Sequence, residues 1–319
     1  MTHSLPTLGD VRAAHARIAS GIRRTPHLAI GPAKRTLSSI GRVDFKLEYL
    51  QVSGSFKARG ALNKALSLPP EALANGLVTA SGGNHGLGVA FAAWRAGIPA
   101  RIVVPTTTPT HKVEKLRTWG ATVSVEGGVW DEANRIAQDF ASQHGAAYIH
   151  PFADPLVIAG QATLALEILE DAPDTTVIIA AIGGGGLISG VALAARAINP
   201  AIRILGVEPV GASAVHDSLR AGHPVTLERV TTRVGTLAAR STEPINFELI
   251  RANVAEVALL TDDEMQAAAE WLYFEYGIAA ELSGAAAAAG LLTGKLKLRP
   301  DDRACVLVCG AGPEGVIGR

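Results

Sequence analysis

The stretch Ser53-Gly54-Ser55-Phe56-Lys57-Ala58-Arg59-Gly60-Ala61 sets a lysine just past a glycine-bearing turn, between an aromatic ring and an arginine. Two readings fit these residue types. One is a serine-capped helix start with a solvated basic first turn, and for an isolated nonamer it comes first. The other makes Lys57 an amine nucleophile that holds a carbonyl cofactor as a Schiff base. The choice depends on what else the chain brings to the same place.

Three more glycine-bearing stretches bear on it. In Ser81-Gly82-Gly83-Asn84-His85-Gly86, a hydroxyl, an amide and several backbone N–H groups could grip a carboxylate at a helix start. A glycine turn with an asparagine cap explains it equally well. In Gly183-Gly184-Gly185-Gly186-Leu187, successive N–H groups can converge into an anion nest whose natural guest is a phosphate. No Gly-Lys-Ser/Thr follows, so this is not a P-loop, and a merely flexible loop would waste stability here. Gly310-Ala311-Gly312-Pro313-Glu314-Gly315 matches the dinucleotide fingerprint, but the sequence runs only to Arg319. With no second strand or ribose-binding acid to follow, the nicotinamide reading is disfavoured.

These stretches need strand ends to hold them. β-rich runs at 77–80, 100–104, 121–125, 177–182, 202–207, 254–259 and 304–308 alternate with helical stretches, which argues for parallel sheets covered on both faces. Val43, Phe45, Leu47 and Tyr49 alternate as a strand leading into the lysine stretch. Thr7 to Asp10 reads as a capping box, Gly97 and Gly120 as helix C-caps, Asp154-Pro155 as a helix start, and Asp262 as the cap of a helix to residue 276. The alanines at 285–289 read as a close-packed helix.

Composition removes other classes. Lysine plus arginine and aspartate plus glutamate both number 29, so no charge excess points to nucleic acid. Cys305 and Cys309 would stand about 13 Å apart along a strand, beyond disulfide reach. The uncharged run at 177–195 is long enough for a bilayer span, but four glycines at its centre rule out a lone spanning helix. No signal peptide is visible at the start. A cytoplasmic enzyme without membrane or nucleic-acid partners is expected.

Taken in order, the lysine stretch, the Ser81–His85 loop, the tetraglycine loop and the terminal Cys309-Gly310 resemble the pyridoxal-phosphate enzymes of fold type II. This is the tryptophan-synthase-β-like fold, here its threonine/serine dehydratase and serine racemase branch. Arg24-Thr25-Pro26, His150-Pro151-Phe152, Gly160-Gln161-Ala162-Thr163 and Gly206-Val207-Glu208-Pro209 match as well. The resemblance implies an α/β chain of two open parallel-sheet domains with pyridoxal 5'-phosphate in the cleft between them. A small substrate-loop domain at 67–149 would be inserted in a cofactor domain of 1–66 and 150–319. It further implies that Lys57 carries the cofactor and moves the Cα proton, that Phe56 packs beside the ring, and that Asn84 bonds its 3'-oxygen. Gly183, Gly184, Gly185, Gly186 and Leu187 would hold the phosphate, Gly235 and Glu281 would line the cofactor edge, and Cys309 would face the pyridine nitrogen. Ser81, Gly82, Asn84 and His85 would receive the substrate carboxylate.

A thiol donates poorly to pyridine, so the ring nitrogen stays neutral and the ring is a weaker electron sink, which favours prompt loss of a β-substituent over transamination. Racemases of this branch carry a serine where Gly82 stands, and glycine cannot transfer a proton. Glu208 matches a metal ligand of some relatives, but Ala214 replaces the second acid, and no metal is expected. The resemblance thus implies a homodimeric ammonia-lyase acting on L-threonine or L-serine. A serine racemase, a 3-hydroxyaspartate dehydratase, another lyase of this fold, a dehydrogenase and a non-catalytic amino-acid sensor remain as alternatives.

Overall fold

The computed structural model describes residues 4–37 and 41–316. Its strands are β1 (His27–Ala29), β2 (Arg42–Lys46), β3 (Leu77–Ala80), β4 (Ala100–Val104), β5 (Thr122–Val125), β6 (Ala147–Tyr148), β7 (Val177–Ala181), β8 (Arg203–Pro209), β9 (Glu256–Leu260) and β10 (Arg303–Leu307). The helices are α1 (Leu8–Ile18), α2 (Lys57–Ser67), α3 (Pro70–Leu73), α4 (Asn84–Ala96), α5 (Thr110–Thr118), α6 (Trp130–His144), α7 (Pro155–Asp171), α8 (Gly186–Ile198), α9 (Ala214–Ala221), α10 (Pro244–Asn253), α11 (Asp262–Tyr276) and α12 (Leu282–Leu292). None of them is long and apolar enough to cross a membrane.

Two sheets form. The larger has six strands in the order β1-β2-β10-β7-β8-β9, and the smaller has four in the order β5-β4-β3-β6. Every pairing is parallel except β1 with β2, an antiparallel edge. The central strands are apolar on both faces because helices cover both: β7 is buried throughout, and α12 packs its alanines at 0% exposure. A second core lies between α2, α4 and the small sheet, so the lysine-bearing helix bridges the two layers.

Several elements differ from the sequence reading. β2 stops at Lys46, and Glu48–Leu50 is a short 3-10 turn. Leu47 and Tyr49 instead donate their N–H groups to Pro26 and Val308, keeping their bonds without continuing the strand. Strands β1 and β6 are too short to show a hydrophobic pattern. Helix α11 is capped by Thr261, whose hydroxyl accepts from Glu264 N while the Glu264 carboxylate accepts from Thr261 N, a reciprocal box. Asp262 instead accepts from the Thr232 hydroxyl at 2.5 Å and Arg233 N at 2.7 Å, tying down the long segment after α9. The caps expected at Thr7, Gly97 and Asp154 are present.

Candidate active site

Lys57 opens α2, and its surroundings overturn the solvated-turn reading. The helix has no side-chain cap: Phe56 occupies that position, and Ser53 and Ser55 are buried with unpaired hydroxyls. Ser53 has φ +62°, a left-handed conformation costly for a non-glycine residue. The end of β10 clamps this turn, since Phe56 N donates to Cys309 O and Ala311 N to Gly54 O. The glycines after Cys309 therefore serve close approach: a Cβ on Gly312 would lie 2.6 Å from Glu281 Cβ.

The Lys57 amine donates to the Pro151 carbonyl at 2.6 Å and lies 5.2 Å from the centre of the Phe56 ring. It is paired with no carboxylate among the described residues. Burial therefore lowers it to about 8, which makes an uncharged, nucleophilic amine accessible near neutral pH. Two neighbouring histidines are kept neutral by burial. His150 is lowered to about 4, and its Nδ1 accepts from Phe152 N and Ala153 N. His85 is held well below its ordinary value, with Nε2 facing the Ile149 carbonyl at 3.0 Å. A carbonyl only accepts, so that nitrogen carries the proton and Nδ1 is a bare acceptor. The His85 ring therefore braces its loop and cannot donate to a carboxylate.

The tetraglycine loop joins β7 to α8. A Cβ on Gly184 would enter the Phe152 ring, one on Gly186 would stand 2.8 Å from Phe152 Cβ, and one on Gly183 would stand 3.2 Å from Thr236 O. Only bare backbone threads that gap. The N–H groups of Gly183, Gly184 and Gly185 meet no acceptor among the described residues, so the loop presents unpaired donors at a helix N-terminus, as a phosphate requires. Thr242 donates to Gly184 O at 3.1 Å and Asn246 to Phe152 O at 3.1 Å, holding both walls of the cradle.

One cavity of about 760 Å³ joins these parts, within the roughly 300–1,000 Å³ usual for ligand pockets. Phe56, Lys57, Ser81, Gly82, Asn84, His85, the four glycines, Leu187, Gly235 and Cys309 all line it. Gly235 has open space where a Cβ would stand. Glu281 lies behind this wall. Burial raises its carboxyl, and it accepts from Asn84 Nδ2 at 2.6 Å and from the Ser283 hydroxyl. Asn84 keeps one amide proton uncommitted. Burial pushes the Cys309 thiol up, so it stays protonated and donates to Ser283 O at 3.4 Å. Glu208 lies elsewhere: its oxygens accept from Val215 N and His216 N at the start of α9, and burial raises it to about 8. Among the described residues no cluster of three or more histidine, cysteine or acidic groups could hold a metal.

An amine without a carboxylate partner, a cradle of unpaired amides and a neutral thiol fit pyridoxal phosphate, an aldehyde with a phosphate and a pyridine ring. Comparison with known proteins decides the family. The family model described as "Pyridoxal-phosphate dependent enzyme" matches residues 18–310. The chain belongs to that family. The L-threonine ammonia-lyase of Thermotoga maritima is 38% identical over 98% of this chain and 77% of its own length. The phenylserine dehydratase of Ralstonia pickettii is 37% identical over 98% and 95%, and the serine racemase of Arabidopsis thaliana 40% over 93% and 88%. Among solved structures, maize serine racemase superposes with TM-score 0.91 at 35% identity, covering 97% of this chain and 94% of that one. This pyridoxal-phosphate enzyme thus has the fold-type-II architecture that the motifs implied.

Sequence reasoning matched His150, Pro151 and Phe152 as a motif but gave them no role. Asn246, Thr242, Trp130 and Thr108 went unnoticed. The His150–Phe152 turn follows β6, and ligands of open α/β sheets bind beyond strand carboxyl ends; that rule, applied to a two-residue strand, could have found it.

Proposed function

We propose that this enzyme is an ammonia-lyase that dehydrates and deaminates L-threonine, L-serine or both, giving a 2-oxoacid and ammonia. The observation that carries this reading is the half-buried Lys57 amine, without a carboxylate partner, in one cavity with the Gly183–Gly186 cradle. When bound, pyridoxal phosphate supplies an electron sink that acidifies the substrate's Cα–H bond. Lys57 would hold the cofactor's carbonyl carbon and, once freed by the substrate's amine, would take the Cα proton. The amides of Gly183, Gly184, Gly185, Gly186 and Leu187 would receive the phosphate, and the neutral Cys309 thiol would face the ring nitrogen without protonating it. Phe56, Asn84 and Gly235 would hold the ring's face and edge, with Glu281 acting from behind by fixing the Asn84 amide. Ser81, Gly82 and Asn84 receive the substrate carboxylate, with His85 fixing their loop. Loss of the β-hydroxyl with a proton removes water, and its return by hydrolysis releases ammonia, so the net change is amino acid to oxoacid plus ammonia.

Residues 67–149 act as the substrate-loop unit within the 1–66 and 150–319 cofactor unit, a reading supported by the separate four-stranded sheet. We read the working form as a cytoplasmic homodimer, which light scattering of purified protein tests. The test of function is a panel of L- and D-β-hydroxy amino acids assayed for oxoacid and enantiomer in the same tubes. Oxoacid from L-threonine or L-serine is expected. D-serine accumulating from L-serine without oxoacid would favour the racemase alternative instead.

A further inference from the structure

Gly82 lacks a side chain, and something else fills the space beside it. A Cβ built on Gly82 would stand 2.8 Å from Thr108 Cγ2 and 3.2 Å from Thr108 Oγ1. Thr108 reaches this point from the turn after β4, the strand that pairs with β3, whose last residue Ala80 precedes Ser81. Its turn is fastened on both sides: Thr108 N donates to Pro105 O at 2.9 Å, and Thr106 N donates to Gly127 O at 2.8 Å. The partner loop is braced too, since the Trp130 indole donates to Ala80 O at 2.9 Å, immediately before Ser81. Thr108 lines the same cavity as Lys57, and its hydroxyl has no partner among the described residues. Threonine is stiff about χ1. With the methyl against Gly82, the hydroxyl is held beside the loop that receives the carboxylate.

We infer that Thr108 is a substrate-contacting specificity residue, whose hydroxyl donates a hydrogen bond to the amino acid's α-carboxylate across the bare face of Gly82. Thr108 takes no part in moving the Cα proton, because no basic group is bonded to it to relay one. This rests on the proposed lyase reading. It adds a second strand end to the carboxylate site, so recognition of the carboxylate spans β3 and β4.

The test uses the holoenzyme and the variants Thr108→Val, which keeps the shape without the hydroxyl, and Thr108→Ser, which keeps the hydroxyl without the methyl. Thr108→Val is expected to raise KM for L-serine and L-threonine roughly ten- to hundredfold, the range for a lost hydrogen bond to a charged group. Its kcat should stay within about threefold and its cofactor absorbance band unchanged, and Thr108→Ser should recover most of the affinity. A second readout is independent of turnover: glycine, which carries the carboxylate but no leaving group, is titrated against the absorbance of the bound cofactor. Its Kd should weaken by the same factor in Thr108→Val. An unchanged KM and glycine Kd overturn the inference, and so does a fall in kcat alone, which would place the hydroxyl in the chemistry. If Thr108→Val does not fold, Thr108→Ala takes its place with the same expected and overturning outcomes. If the wild type makes no oxoacid from any substrate, the lyase reading fails while the glycine titration still decides the role of Thr108.

Discussion

Lys57 and Arg59 stand two residues apart on one helix, both cationic by type, yet their surroundings are opposite: Arg59 is buried and Lys57 is half-buried on the cavity wall. Arg59 is fully enclosed and saturated. It donates to Glu48 at 2.7 and 2.8 Å, to Glu167 at 2.7 and 2.9 Å, and to the Thr163 hydroxyl at 3.2 Å. Lys46 joins the same network, at 2.9 Å from Glu167 and 2.8 Å from the Thr25 carbonyl. The Thr25 hydroxyl closes it by donating to Glu48 at 2.6 Å. Partners hold the Arg59 charge firmly in place and keep Glu167 below its ordinary value. Lys57 is given one carbonyl and two neutral histidines, and burial lowers it to about 8. A buried cation with matched carboxylates is a structural tie; a half-buried amine denied them is a reagent.

The sharpest way to break this contrast is to remove the amine. Lys57→Ala should lower kcat by more than about a thousandfold, near the top of the range for a positioned proton carrier, while leaving the fold intact by circular dichroism. Borohydride reduction followed by peptide mapping should attach the pyridoxyl group to Lys57 in the wild type and nowhere in the variant. Recovery of a labelled peptide other than the one containing residue 57 would refute the assignment.

Removing the tie should act on stability instead. Arg59→Met leaves Glu48 buried without a cation and Glu167 with Lys46 alone, a change expected to cost about 3–5 kcal/mol, read as a lower urea midpoint. Gly184→Ala tests the cradle. Its methyl group would enter the Phe152 ring, so cofactor affinity should fall about tenfold or more, the scale of overpacking by one to three kcal/mol. Phosphate-free pyridoxal, which makes no use of the cradle's amides, should lose far less affinity.

The contrast also has a pH signature. The uncharged amine attacks a carbonyl, so uptake of cofactor by the cofactor-free protein should accelerate about tenfold per pH unit below 8 and level off above it. An ordinary lysine would keep gaining up to 10.5. The sign for stability follows from proton counts. Between about 8 and 10.5 the unfolded chain holds a proton on Lys57 that the folded chain lacks, so the contribution of Lys57 to cofactor-free stability rises with pH across that window, while the buried Cys305 and Cys309 thiols oppose it above about 9. Lys57→Met should abolish covalent uptake, and the difference between its stability profile and the wild type's should show the rise assigned to Lys57.

The sequence showed the ligand-facing loops more clearly than their supports. Gly183 to Gly186 were legible because four glycines in a row have few structural reasons to exist, and Lys57 because three other loops gave it a purpose. The Arg59 network was not legible, since Lys46 and Glu48 come from one segment and Glu167 from a distant one, and the three share no motif. The matched segments Arg24-Thr25-Pro26 and Gly160-Gln161-Ala162-Thr163 turn out to serve that network and its helix crossing. Thr25 and Thr163 bond into it, and a Cβ on Gly160 would lie 2.6 Å from Gly60 Cα. Helix α2 fixes Lys57 because α7 can press backbone to backbone against it. Thr108 escaped notice because one threonine among three in a turn, Thr106 to Thr108, signals nothing until the strand beside it is known.

The smallest expected effect concerns Cys309, on the reagent side of the contrast. Its thiol is protonated because burial opposes the thiolate, and its hydrogen already points at the Ser283 carbonyl. A serine hydroxyl is likewise a neutral donor of similar reach, and it leaves the ring nitrogen as unprotonated as the thiol does. Cys309→Ser should therefore change kcat by less than about threefold, under 1 kcal/mol in the barrier, with no shift in the bound cofactor's absorbance band. The activity of Cys309→Ser should also survive peroxide at least as well as the wild type's, because the only other cysteine, Cys305, is buried in β10. A tenfold loss would mean that sulfur itself takes part. The electronic argument for elimination over transamination would then need a contribution that a neutral donor does not provide.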